Sequence, residues 1–167
     1  MIIVLSGWRG TRETQQEILD ATADVLRRLF VRFPDAQYRR GDCKTGVDWA
    51  VDYLWRKQYE RSGWFTPQVK GRRGIEKFSA DWSHGPVGGP ERNEAMLRGD
   101  GTTDLRHGFA RLLVAMPQPG PRPPKGSGTW GCVDIAHRLG IPVEIAPLRP
   151  IGDWDADRLP LLPRIEV

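Results

Sequence analysis

Cysteine is scarce. The chain of 167 residues has two, Cys43 and Cys132, and no CxxC pair or HExxH accompanies them. That excludes a disulfide framework and gives no support to a zinc site. Histidine is as sparse: His84, His107 and His137 stand at wide spacings and read as surface or internally satisfied side chains. No metal and no cofactor is expected. Long apolar runs are missing too, since none approaches the roughly 20 residues that span a bilayer. The opening "MIIVLSG" lacks the basic flank and the length of a signal peptide. A cytoplasmic location without membrane partners is the expectation. Dense basic tracts are also absent, and "GRRG" at Gly71–Gly74 is too short to count. The net charge of +4 rests far more on Arg than on Lys. Arg suits bidentate recognition of phosphate or carboxylate, so small anionic ligands explain the charge as well as DNA does.

What the chain does have is alternation. At 39% apolar and 28% charged it can build one full core, which argues against wholesale disorder. "MIIVLS" is a continuous apolar run and predicts a strand buried on both faces. Ile18, Ala21, Val25, Leu26 and Leu29 then recur at helical spacing, with Thr11 and Thr14 as N-cap candidates and Pro34 beyond the end. "AQYRRGD" predicts a short second strand, and residues 46–59 a second helix. "GIEKFSADW" reads as strand-like, "GGPERNEAMLRG" as a helix with Pro90 near its first turn, and "FARLLVAMP" as the strongest internal strand. "QPGPRPPKGSG" is a loop, "TWGCVDIAHRLG" a helix and "IPVEI" the last strand.

Such an order implies an α/β fold: a Rossmann-like three-layer domain over residues 1–146, with a mostly parallel sheet of about five strands flanked by helices. The proline-rich tail, residues 147–167, is expected to pack on the domain or on a partner. In open parallel sheets ligands bind outside the carboxyl ends of the strands. There the sequence puts Gly7-Trp8-Arg9, Gly41-Asp42, Ala80-Asp81-Trp82, Pro117 and the loop Gly126-Ser127-Gly128-Thr129. Helix starts at Gly88-Gly89 and Gly126–Thr129 offer free N–H groups, each worth about 0.3–1 kcal/mol to an anion. Their accumulation on one edge lifts "GSGT" above an ordinary turn.

Four segments, "SGWRGT", "GDCKTGVDWAVDYLW", "FSADWSHGPVGGPERNEAML" and "GSGTWGCVDIAHRLGIPV", together resemble the YspA (cpYpsA-related) branch of the SLOG superfamily. That superfamily of Rossmann-like domains includes the Lonely Guy phosphoribohydrolases and the DNA-processing protein DprA. The resemblance runs from about Ile2 to Ile145. It implies a nucleotide pocket made by Gly7, Arg9, Gly46, Asp48, Asp81, Trp82, Gly89, Arg92, Asn93, Gly128 and Thr129, to which the loop adds Gly126 and Ser127. Arg92 could fork a phosphate or a carboxylate. Asn93 could meet a base or ribose, and Trp82 offers a stacking face. Against these stand plainer roles: a solvated helix face for Arg92-Asn93, a packing tryptophan, and helix-start carboxylates for Asp42, Asp48 and Asp81.

The Lonely Guy hydrolases carry PGGxGTxxE, and alignment on Gly128-Thr129 puts Cys132 where that Glu stands. Asp134, two residues on, is turned about 200° away. A thiol does not replace a carboxylate beside an oxocarbenium-like centre, which leaves Glu91 or Glu94 on the neighbouring helix to compensate. The expectation is therefore binding, by sensing or sequestration, of a small nucleotide-derived ligand. Hydrolysis of a nucleoside 5′-monophosphate at its N-glycosidic bond is the alternative, with no catalytic residue identified. Single-stranded DNA binding ranks third, because no continuous basic track links Trp8, Trp64, Trp82 and Trp130. A homo-oligomer is expected from related hydrolases. The bias to Arg fits a GC-rich genome, such as that of an actinobacterium or its phage.

Overall fold

A computed structural model describes residues 1–62, 75–99, 108–123, 126–146 and 148. Five strands, β1 (Ile2–Gly7), β2 (Gln37–Arg40), β3 (Ile75–Lys77), β4 (Leu112–Met116) and β5 (Val143–Ile145), form one sheet in the order β3-β2-β1-β4-β5. Every pairing is parallel, with Ile2 beside Gln37 and Ile3 beside Leu112 setting the central register. Four helices alternate with them: α1 (Gln15–Arg32), α2 (Gly46–Ser62), α3 (Gly88–Arg98) and α4 (Gly128–Arg138). The three-layer Rossmann-like fold expected from the sequence is the one observed.

The layers follow from the two-residue period of the strands. Ile3, Leu5, Val114 and Met116 join Ile18, Val25, Leu29, Val47 and Val51 in one core, beneath α1 and α2. Ile2, Val4, Leu113 and Ala115 face the other way and pack with Met96, Leu97, Cys132 and Val133 of α3 and α4. β1 and β4 are apolar on both faces because both faces are covered. Each large aliphatic side chain buried in this way contributes about 1.5–3 kcal/mol over its exposed state.

β2 obeys the same alternation with two buried arginines. Arg40 turns toward α2, donating to the Gly41 carbonyl at 2.9 Å and pairing with Asp52. Arg39, 2% exposed, turns toward α3. It donates to the carbonyls of Met96 (3.0 Å) and Gly108 (2.9 Å) and pairs with Glu76 (3.1 Å). A buried guanidinium is tolerated where its donors meet acceptors in this way.

Three local expectations change. Thr14 stands at the N-cap of α1 but caps nothing with its side chain. Its hydroxyl instead accepts from the Thr11 N–H at 2.8 Å and donates to the Thr11 carbonyl at 3.2 Å, bracing the preceding turn. α2 runs three residues beyond position 59. The strand-like "GIEKFSADW" pairs over three residues only; the Phe78 N–H still bonds the Arg40 carbonyl at 2.9 Å, and then the chain leaves the sheet. Asp81 starts a short 3-10 stretch, Trp82–Val87, that leads into α3. Of the tail, Leu148 alone is described: it is buried against the α1–α2 core, and the rest of the expected packing lies outside the described residues, as do His107, Trp64 and "GRRG".

Candidate functional site

The strand order reverses between β1 and β4, with α1 and α4 on opposite faces of the sheet, so the place where open parallel sheets take ligands lies above the carboxyl ends of these two strands. Gly7 pairs with Met116 at that edge, and the Trp8 N–H bonds the Met116 carbonyl at 2.9 Å. Gln15 holds the loop that follows. Its Nε2 donates to the carbonyls of Arg9 (3.1 Å) and Thr11 (2.7 Å), while its Oε1 accepts from the Gly46 N–H at 2.7 Å. The start of α2 is thereby fastened to the β1–α1 loop. Gly46 has φ +71°, and a Cβ there would lie 2.2 Å from the Trp8 carbonyl oxygen, so a glycine is required on both counts. Arg9 is exposed and has no carboxylate partner among the described residues.

Arg92 and Asn93, in the first turns of α3, cross the top of the sheet. Arg92 Nη1 donates to Asp42 Oδ1 at 3.0 Å and lies 3.8 Å from Asp48 Oδ2. Its Nε and Nη2 both donate to Asn93 Oδ1, at 3.3 and 3.0 Å. Asn93 Nδ2 in turn donates to the Gly128 carbonyl at the start of α4, at 3.1 Å. One chain of polar contacts therefore ties the start of α3 to the β2–α2 loop on one side of the sheet and to α4 on the other. Gly41 permits it: a Cβ at that position would sit 2.4 Å from Asp48 Oδ2 and 2.6 Å from Arg92 Nη1.

Asp48 is 7% exposed. Burial pushes its carboxyl above the usual carboxylate range, and the Arg92 charge and the N–H groups of Cys43 and Gly41 pull the other way. The Cys43 N–H donates to Asp48 Oδ2 at 3.2 Å. Burial likewise raises the Cys43 thiol, against the opposing influence of Arg9.

At the fourth helix, Ser127 is the N-cap and its hydroxyl accepts from the Trp130 N–H at 3.3 Å. Gly126 has φ +82°, which a glycine adopts freely. Gly128 and Gly131 are different, because neither has a positive φ and a Cβ at either would meet nothing within 4 Å among the described residues. Packing does not demand them. Thr129 is buried beside them. Cys132 is fully buried on the sheet side of α4, hydrogen-bonded to Ser6, and burial pushes its thiol up to about 12. It is a neutral core side chain at ordinary pH.

The structure thus joins Asp48, Arg92, Asn93 and Gly128 in one network and sets Gly7, Arg9 and Gly46 beside it. Asp81 is occupied locally, accepting from the Ser83 N–H (2.9 Å) and hydroxyl (2.6 Å), which holds its carboxyl below the usual range. Trp82 is 56% exposed and its ring edge lies 3.7 Å from the Cβ position of Gly89. Glu91 and Glu94, weighed as stand-ins for the Glu of PGGxGTxxE, and Asp134, set aside there, are all engaged at the surface. Glu91 meets His84 Nδ1 at 2.8 Å, Glu94 pairs with Arg98 and Arg138, and Asp134 pairs with Arg122 at 2.6 Å. Two residues enter that the resemblance does not assign to the pocket. Gln15 carries no sequence signal. Asp42 carries one: it falls immediately past a strand's carboxyl end.

No protein-family model matches the chain, and no curated protein does. Among solved structures, the X-ray structure of TM1055, a structural genomics target, is similar over 85% of this chain and 71% of that one, at 17% identity and a TM-score of 0.46. A likeness that slight carries no functional argument.

Proposed function

We propose that this chain is a SLOG-type domain that binds a nucleotide or nucleotide-derived small molecule in the crevice above β1 and β4, to sense or sequester it. The observation that carries the reading is the Asn93–Gly128 hydrogen bond, which fastens the middle of α3 to the start of α4 beside the strand-order reversal. The start of α4 directs the N–H groups of Gly128 and Thr129, which meet no acceptor among the described residues, and a partial positive charge to this place, which suits a phosphate. α3 contributes less than expected, since the Gly88 N–H already bonds the Gly85 carbonyl and Pro90 has no N–H. The exposed Arg9 guanidinium adds a full charge, and the open space beside Gly128 and Gly131 lets a ligand approach the backbone. The four motif segments that resemble the YspA branch agree with this location. Trp82 is a stacking face at the rim of the α3 start.

Binding is favoured over N-glycosidic hydrolysis by the chemistry of the α4 face. A thiol with its pKa near 12 neither gives nor takes a proton at neutral pH. The nearby acidic side chains are engaged at the surface, Glu91 with the His84 ring and Glu94 and Asp134 with arginines. The test is ultrafiltration read by mass spectrometry, with purified protein mixed with nucleoside monophosphates, NAD, ADP-ribose and cyclic nucleotides. Retention of one intact compound is expected. Release of free base and ribose phosphate would instead establish the hydrolase, and failure to retain or convert any of them would remove the nucleotide reading.

A further inference from the structure

We propose that Arg122 is a positioning residue for anion binding at the start of α4. It clips the β4–α4 loop to the side of that helix, so that the turn facing the phosphate is ordered before a ligand arrives. The inference rests on the nucleotide-binding reading and adds to it a residue outside the pocket.

The loop after β4 has little else to hold it. Pro117, Pro119, Pro121 and Pro123 have no N–H to donate. No backbone hydrogen bond joins residues 118–123 to another described residue. Arg122 supplies the tie. Its Nη2 donates to Asp134 Oδ2 at 2.6 Å, and its guanidinium lies over the Trp130 ring, 5.1 Å from the ring centre. Trp130 and Asp134 stand one turn apart on α4, so a single side chain engages both.

Trp130 connects this clip to the helix start. Its ring is covered by Arg122, and its N–H is taken by the Ser127 hydroxyl at 3.3 Å. The Ser127 carbonyl accepts from the Gly131 N–H at 2.9 Å. The chain is thus pinned at Arg122 and again at Ser127, and both pins meet the first turn of α4. Gly128 and Thr129, whose N–H groups are open, follow directly. Trp130 is turned about 200° around the helix from Gly128, so the clip draws the loop away from the side where a ligand approaches. Arg122 and Asp134 are 50% and 55% exposed and match each other in charge. The arginine therefore acts through the helix and not on the anion. An exposed ion pair and an exposed cation–π contact are each weak, so the affinity that such preordering lends is bounded at about three- to tenfold.

The test is calorimetric titration of AMP and of inorganic phosphate into the wild type, Arg122→Ala, Asp134→Ala, the double variant and Arg122→Lys. Asp134→Ala decides between mechanisms. By charge alone, removing a carboxylate near an anion strengthens binding, whereas losing the clip weakens it. Both single variants are expected to bind about three- to tenfold more weakly, and the double variant to be within about twofold of either. Arg122→Lys keeps the ion pair without the planar stack, so its affinity should fall between wild type and Arg122→Ala. Tighter binding by Asp134→Ala would make Arg122 a direct ligand of the anion and overturn the proposal. Unchanged affinity in the single variants, or losses that simply add in the double variant, would also overturn it while leaving nucleotide binding intact. No binding of either probe by the wild type removes the phosphate site at α4 and this inference together.

Discussion

Replacing Gly128 by Ala separates the two reasons a glycine can have for its place. Where a fold needs glycine, for a positive φ or a close contact, alanine destabilises. Gly128 has neither reason: its φ lies outside the left-handed region and a Cβ would meet no atom of the described residues within 4 Å. The expected effect on the folded state is therefore nil, and the unfolded chain loses freedom. The net gain is about 0.4–1 kcal/mol. For a chain of this length that raises the melting temperature by about 1–4 °C. The binding effect has the opposite sign. A methyl group on the first residue of α4 occupies space that a phosphate needs to reach the N–H groups of that turn. Nucleotide affinity should fall by about tenfold or more, the scale of one lost charge-assisted hydrogen bond. Urea unfolding and equilibrium dialysis on the same preparation read both. A stability loss beyond about 0.5 kcal/mol would refute the open space. Unchanged affinity would refute the approach of a ligand to this turn.

Gly41→Ala is the converse case. Its methyl would collide with Asp48 and Arg92, both anchored by further contacts, so a loss of about 1–3 kcal/mol in urea unfolding is expected. Asp48→Asn tests the raised carboxyl. Because burial puts the folded value above the unfolded one, the wild type binds the extra proton when folded and loses stability as pH rises from the ordinary aspartate value through the folded one. The stability of Asp48→Asn relative to wild type should accordingly grow with pH across that window, and a difference independent of pH would contradict the assignment. The two cysteines should separate under an aromatic disulfide reagent. Cys43, half-buried, reacts in the native protein, whereas Cys132 reacts only on unfolding, and equal rates would show that Cys132 is not sealed in the core.

The layers were legible because the strands speak plainly. β1 and β4 are unbroken apolar runs, and Ile18, Val25 and Leu29 keep helical spacing, so element types and their parallel order follow from periodicity alone. β2 was legible as a strand but not in its contents. Nothing local announces that Arg39 is buried, since its acceptors on α3 and at the Gly108 carbonyl lie far along the chain, and Arg40 is closed off by Asp52 of α2 as well as by the adjacent Gly41 carbonyl. β3 read longer than it is, because "FSADW" looks extended while Asp81 turns it into a 3-10 start. At the site, the glycine-rich strand ends were visible in advance. The pairing of Arg92 was not. The side chain that could fork a phosphate is already engaged with its neighbour Asn93 and with Asp42, and the second contact joins α3 to the β2–α2 loop, which meet only in space. Arg92 is therefore a brace of the crevice, and removing it strands Asp42 and Asp48 near each other. Gly128 and Arg9 are the cleaner probes.

The most direct test of a nucleotide site at these helix starts is amide mapping by two-dimensional NMR. The 15N-labelled protein would be titrated with the compound that ultrafiltration retains. Binding in the crevice predicts that the largest shifts fall on Arg9, Gly89, Gly128 and Thr129. Shifts concentrated on the outer faces of α1 or α2, or none at these positions at saturation, would contradict it.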